Sequence, residues 1–342
     1  MRNIGITGGA GFIGTNAALH FLALGDRVTI LDNLSRPGSG DNLLEIQKQY
    51  PDVIFQLGDI RDAVAVASFV KSQDVIIHLA AQVAVTTSVI NPMNDFSINA
   101  LGTMTLLDEI RKSKRNPIVI YSSTNKVYGS LTTIPVIETD TRYAFVDRKA
   151  VDESTSLDFH SPYGCSKGTA DQYVRDFYRI YDVPTVVFRQ SCVYGPHQFG
   201  VEDQGWVAWF LIASMLGKPV TIFGNGKQVR DILYVDDLVD AYDRAIENID
   251  SIKGDVFNMG GGPENTLSVW TEFQPILASL IGHVVAARSG PTRQGDQPIF
   301  IADTGKFEKA TGWKATVGVQ EGIGRIHDFL KNHQDRLLTA FR

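Results

Sequence analysis

Cysteine, excess charge and long apolar runs are all scarce in this chain of 342 residues, and each shortage removes a class of function. With 32 Lys and Arg against 38 Asp and Glu, the formal charge is −6, so the chain has no basic surplus with which to bind nucleic acid. Its two cysteines, Cys165 and Cys192, are too few for a disulfide framework, and no cluster of His and Asp joins them to form a zinc site. His78, His160 and His197 are scattered without ligand spacing and read as structural, so no metal is expected. No apolar run approaches bilayer length, which excludes a membrane partner of the spanning kind. Met1-Arg2-Asn3 runs directly into a strand instead of a leader pattern, an arrangement expected of a cytoplasmic protein. What is abundant is ordinary globular material, 44% hydrophobic and 20% charged, in a length that predicts one large and one smaller domain.

The N-terminus predicts a phosphate-binding turn. A short buried strand through Thr7 is followed by Gly8-Gly9-Ala10-Gly11-Phe12-Ile13-Gly14 and an apolar-periodic helix through Leu24. In this pattern the first glycine permits the tight turn, the second admits a pyrophosphate, and the third lets helix pack on strand. A second strand, Arg27 to Leu31, ends in Asp32, placed to accept from both hydroxyls of an adenosine ribose; this predicts NAD, although Arg36 close behind leaves room for a 2′-phosphate. Strands at Val53–Leu57, Val75–Leu79, Pro117–Tyr121 and Thr185–Phe188 alternate with helices, including a long one from about Met93 to Lys114. The expected class is therefore α/β, a Rossmann-type doubly wound parallel sheet with a smaller mixed α/β substrate domain. Its carboxyl edge should gather Gly58-Asp59-Ile60, Leu79-Ala80-Ala81-Gln82 and Ser122-Ser123-Thr124 around the cofactor, with Asp59 reaching the adenine. The predicted division is 1–188 with 231–262 for the cofactor and 189–230 with 263–342 for the substrate.

Ser161-Pro162-Tyr163-Gly164-Cys165-Ser166-Lys167 supplies the chemistry. Ser161 suits an N-cap and Pro162 the first helical position of a helix running to about Tyr181. Tyr163 and Lys167, spaced i, i+4, share a face, so the ammonium is expected near the phenol, favouring the phenolate and making Tyr163 a general base. Thr124, after the fifth strand, is the expected third catalytic group, donating to the sugar oxygen that Tyr163 deprotonates.

Together Thr7-Gly8-x-x-Gly11-x-x-Gly14, Asp32, Ser122-Ser123-Thr124, Val127-Tyr128-Gly129 and Tyr163-x-x-x-Lys167 resemble the extended short-chain dehydrogenase/reductase family of nucleotide-sugar enzymes over almost the whole chain. The 4,6-dehydratases of that family follow the hydroxyl residue with Asp-Glu; here Asn125-Lys126 stands instead, so the acid and base of dehydration are missing. Ser122 through Gly129, Asp152 through Gly168 and Asp203-Gln204-Gly205-Trp206-Val207 look like one subgroup, the CDP-paratose (CDP-tyvelose) 2-epimerases. The resemblance implies tightly held NAD, contacted also by Phe12, Ile13, Asn33, Asn99, Ser122, Tyr163 and Lys167. It implies a CDP-sugar substrate bordered by Gln204 and Thr124, with Arg230 and Arg293 reaching its diphosphate, and oxidation at C2 followed by return of hydride to the other face. It also implies a homodimer or homotetramer built on helices near residues 97–114 and 163–181. A UDP-hexose 4-epimerase would share the same catalytic residues, whereas a noncatalytic nicotinamide sensor would be expected to lack Tyr163 or Lys167.

Overall fold

A computed structural model of the chain describes residues 1–293 and 296–337. Its centre is a seven-stranded, all-parallel sheet. The first five strands in chain order are β1 (Asn3–Thr7), β2 (Arg27–Asp32), β3 (Ile54–Leu57), β4 (Val75–His78) and β5 (Ile118–Thr124). Strands Thr185–Gln190 and Val256–Met259 complete the order Val256–Met259, Thr185–Gln190, β5, β4, β1, β2, β3. Successive side chains feed opposite faces: Val75 and Ile77 enter one core with Ile4, Ile6 and Phe188, while Ile76 enters the other with Val119, Tyr121 and Val187. Both faces are covered by helices, which is why these strands are apolar without alternation. The chain order reverses between β1 and β4, and that reversal opens a crevice above their carboxyl ends.

A smaller body builds on this edge. Strand Val229–Tyr234 pairs with Cys192–Tyr194, Thr266–Ser268 and Ile299–Phe300, and Val220–Phe223 pairs with Ala287–Gly290. Helices Trp206–Met215, Phe273–Ile281 and Val319–Asn332 pack there around Phe210, Ile232, Phe273 and Ile326. The α/β class is as expected, but the proposed boundaries cut through elements. Residue 188 falls inside strand Thr185–Gln190, because Arg189 and Gln190 continue the pairing with Ser123 and Thr124. The boundary at 231 falls inside Val229–Tyr234, and Phe307 and Trp313, placed in the smaller domain by sequence, pack in the core of the large sheet.

The expected helix from Met93 to Lys114 is in three pieces: Pro92–Phe96, a π-helical turn Ser97–Leu101, and Gly102–Ser113. The wide turn carries Asn99 inward, where Oδ1 accepts from Gln82 N at 2.9 Å and Nδ2 donates to Gln82 O at 2.9 Å. Such turns recur at functional sites. A further helix, Val85–Ile90, precedes them. Among the described residues no helix is long and apolar enough to cross a membrane.

Candidate active site

β1 turns sharply at Gly8, whose φ of 69° belongs to the left-handed region and whose missing Cβ would lie 2.8 Å from Ala80 N. A Cβ on Gly14 would lie 2.3 Å from Gly8 O, so glycine lets helix Phe12–Ala23 descend directly onto the turn. That helix begins at Gly11 with no side-chain cap, leaving its first N–H groups facing the crevice. A cleft of about 450 Å³ follows, lined by Gly8, Gly11, Phe12 and Ile13, by Asp32 and Asn33, and by Asp59 and Ile60. Farther in it is lined by Leu79, Ala80 and Ala81, then by Ser122, Thr124, Tyr163 and Lys167. The uncapped helix, the side-chain-free turn and the acid at the end of β2 fit a dinucleotide, so these residues match the site that NAD requires.

Asp32 is fixed by two main-chain donors, Ala10 N at 3.0 Å and Leu34 N at 2.8 Å. Burial raises its pKa, and those bonds oppose the shift. Arg36 donates to Gln204 Oε1, which ties the segment around residue 204 to the end of the cleft that Asp32 lines. Asp59 is held below the ordinary carboxylate range chiefly by Arg61, at 2.8 Å, and also accepts from Asn33 Nδ2 at 2.9 Å. Gln82 and Asn99, expected at the cofactor, bond to one another and thereby pin the loop after β4 beside Ala81 and Ile98, which line the cleft.

The chemistry sits where β5 meets helix Ser161–Tyr181. β5 runs through Thr124 instead of ending at Tyr121, so this hydroxyl stands at a strand end held by Gln190 across the register. Ser161, with φ of 62°, accepts at Oγ from Gly164 N at 3.2 Å, which is the expected capping bond although the helix is assigned from Ser161 itself. Tyr163 and Lys167 are both buried on the helix face turned to β5. They share that face as expected, and the ammonium is held by a carbonyl of β5. Lys167 Nζ donates to Ser122 O and lies 4.3 Å from the Tyr121 ring centre. Burial pushes Lys167 down to about 7, against the opposing charges of Asp171 and Asp95. Burial likewise pushes Tyr163 up to about 12, with only the Thr124 hydroxyl pulling the other way. Helix spacing alone therefore brings the pair to one site without producing a phenolate; a further positive charge is needed beside the phenol.

Two acids missed in the sequence hold this arrangement. Asp171, one turn beyond Lys167, is fully buried and accepts from Arg189 Nε at 2.9 Å, Arg189 Nη2 at 3.0 Å and Ser123 Oγ at 2.8 Å. It ties the helix to β5 and its neighbour. Asp95 accepts from Ser166 Oγ and, at 3.1 Å, from both Gln82 Nε2 and Asn99 Nδ2. The i, i+4, i+8 series of Tyr163, Lys167 and Asp171 was the available signal for the first.

The expected diphosphate arginines are each held by a carboxylate. Arg230 donates to Asp296 Oδ1 at 2.6 Å and to Gln297 O and Val229 O, each at 2.7 Å. Arg293 donates to Asp203 Oδ1 at 2.9 Å and Glu202 O at 3.1 Å, and covers the Phe223 ring at 3.8 Å. Each is bound to a carboxylate that the sequence did not reveal as its partner, and Asp203, the partner of Arg293, lines the cleft; Gln294 and Gly295 of the same loop lie outside the described residues. Gln204 lines the cleft as well.

The chain resembles known proteins along nearly its whole length. The family model described as "NAD dependent epimerase/dehydratase family" matches residues 4–260. A CDP-paratose 2-epimerase of Salmonella typhi is 45% identical over 332 residues, covering 95% of this chain and 98% of the relative. The solved UDP-glucose 4-epimerase of Thermotoga maritima with UDP-glucose superposes with a TM-score of 0.83 at 30% identity, covering 97% of this chain and 99% of that one. A dTDP-glucose 4,6-dehydratase of Streptomyces venezuelae, solved with NAD bound, has a TM-score of 0.84 at 27% identity, with 97% and 98% covered. The chain belongs to the NAD dependent epimerase/dehydratase family, within the extended short-chain dehydrogenases/reductases.

Proposed function

We propose that this nucleotide-sugar epimerase inverts C2 of a CDP-3,6-dideoxyhexose, interconverting CDP-paratose and CDP-tyvelose. The 45% identity along nearly the full length to a CDP-paratose 2-epimerase carries the reading. The neutral and basic Asn125-Lys126 after Thr124, where dehydration would need carboxylates, agrees with it. Tyr163 takes the proton from the C2 hydroxyl and later returns it, while Thr124 donates to the same oxygen. Lys167, held on Ser122 O, places its amine on the floor of the site, where its protonated form helps to bind the cofactor and stabilise the phenolate. Bound NAD supplies the acceptor and donor of the C2 hydride and the positive charge that the buried phenol lacks. Between the two half-reactions the 2-keto hexose turns over, so the chain must hold the nucleotide diphosphate while leaving the ring free. Gly8, Gly11, Asp32 and Asp59 hold the cofactor at the other end of the cleft. Homo-oligomer formation is supported by exposed Leu101, Tyr173 and Ile180 on the helices that the family likeness implicates, with Ile90, Met93 and Phe96 exposed just before the first of them.

Incubation of purified protein with CDP- and UDP-hexoses, without added NAD, is expected to epimerise CDP-3,6-dideoxyhexoses; inversion of a UDP-hexose at C4 with the CDP-sugars untouched would overturn the assignment. Denatured pure protein is expected to release NAD or NADH at roughly one per chain, as a single dinucleotide site requires. Asp32→Ala should lower that yield and also the melting temperature, since it leaves Ala10 N and Leu34 N without their acceptor and weakens the binding of a stabilising cofactor. Mainly NADP in the wild-type extract, read by chromatography, would refute the role given to Asp32.

A further inference from the structure

Lys126 has no part in the mechanism above, yet its ammonium is the cation best placed to receive an anion in the substrate half of the cleft. It belongs to the short turn Asn125–Tyr128, and its main-chain N–H donates to Thr124 Oγ1 at 3.3 Å, so its position is tied to the catalytic hydroxyl. Its side chain lines the cleft beside Thr124 and Tyr163 and keeps 23% of its surface open. Charge counting shows what it lacks. Arg230 Nη2 is 2.6 Å from Asp296 Oδ1, and Lys126 Nζ is 3.8 Å from that same oxygen, so one carboxylate faces two cations. Arg230 spends its remaining bonds on Val229 O and Gln297 O. Among the described residues the ammonium of Lys126, with three donors, has only this long contact, outside hydrogen-bond range. Although burial pushes it down to about 8, it is mainly protonated at neutral pH. A surplus cation largely withdrawn from water is stabilised by an arriving anion.

We propose that Lys126 binds the phosphate carried on the anomeric carbon of the substrate, and that this grip beside Thr124 directs oxidation to C2. The proposal rests on the C2 reading above. In a nucleoside diphosphate sugar the anionic oxygens nearest the ring belong to the phosphate on C1. The C2 hydroxyl is on the adjacent carbon, whereas the C4 hydroxyl is across the ring. A hydroxyl and an ammonium from neighbouring residues therefore suit a reacting oxygen and a phosphate on vicinal carbons.

Binding of CDP and CMP to the cofactor-loaded protein, with UDP and UMP in parallel, tests this by calorimetry. Lys126→Met should weaken the diphosphates about 10- to 100-fold, the range of a charged hydrogen bond, and the monophosphates by no more than about 3-fold. Lys126→Arg should retain most of the diphosphate preference, and Lys126→Gln repeats the test should the Met variant lose its cofactor. Equal weakening of di- and monophosphates, or none, with C2 epimerisation intact in the wild type, would overturn the role of Lys126 and leave the functional reading standing. Wild-type inversion at C4 would overturn the regiochemical half, whatever the binding data show.

Discussion

Tyr163→Phe is expected to lower turnover by about 100-fold or more while leaving substrate binding largely unchanged. The phenol is buried against β5 beside Thr124, and its hydroxyl is the proton acceptor that the variant removes. Lys167→Met should fall nearly as far, because the ammonium on Ser122 O is the cation that the chain itself places in the floor of the site. Thr124→Val should cost less, on the order of 10- to 100-fold, since one hydrogen bond is lost and the base is kept. Steady-state rates with the CDP-sugar, together with the affinity for CDP, separate the two effects. Wild-type turnover in Tyr163→Phe would require another base.

The largest expected loss of stability is at Asp171. This carboxylate is fully buried and neutralised by the bidentate Arg189 guanidinium, itself bonded through Nη1 to Tyr128 OH at 3.1 Å. Removing one partner leaves the other charge buried and unpaired, so Asp171→Ala or Arg189→Met alone should destabilise by roughly 3–5 kcal/mol. Removing both should cost clearly less than the sum, because no orphaned charge is left. The singles should also lose activity, since Asp171 ties the helix carrying Tyr163 to the strand carrying Thr124 through Ser123. Denaturant midpoints of the four proteins, matched for cofactor content, check this; a single variant within about 1 kcal/mol of wild type would show that the pair is not what holds the site together.

The parts of the fold that were legible are those written locally. Gly8, Gly11 and Gly14 are recognisable because each answers to a steric demand of one turn, and Asp32 because it ends a strand of known direction. Tyr163 and Lys167 are legible through helix spacing, which brought them to one buried face; the Ser122 carbonyl that holds the ammonium was not legible. Partners distant in the chain stayed hidden. Arg189 and Gln190 read as the end of a strand because they are polar, yet Asp171 neutralises the first, and Ser122 and Tyr242 bond the second, so the strand continues. The carboxylate that holds Arg230, Asp296, was hidden because it comes 66 residues later. The π-helical turn at Ser97–Leu101 was invisible because an apolar-periodic helix looks the same until Asn99 is diverted to the loop after β4.

Transient oxidation at C2 within one closed site is tested most directly by a CDP-3,6-dideoxyhexose carrying deuterium at C2. The expected product is the C2 epimer with its deuterium retained, and the unlabelled reaction run in heavy water should place no deuterium at C2. Loss of the label, or its entry from solvent, would contradict hydride return and point to enolisation instead.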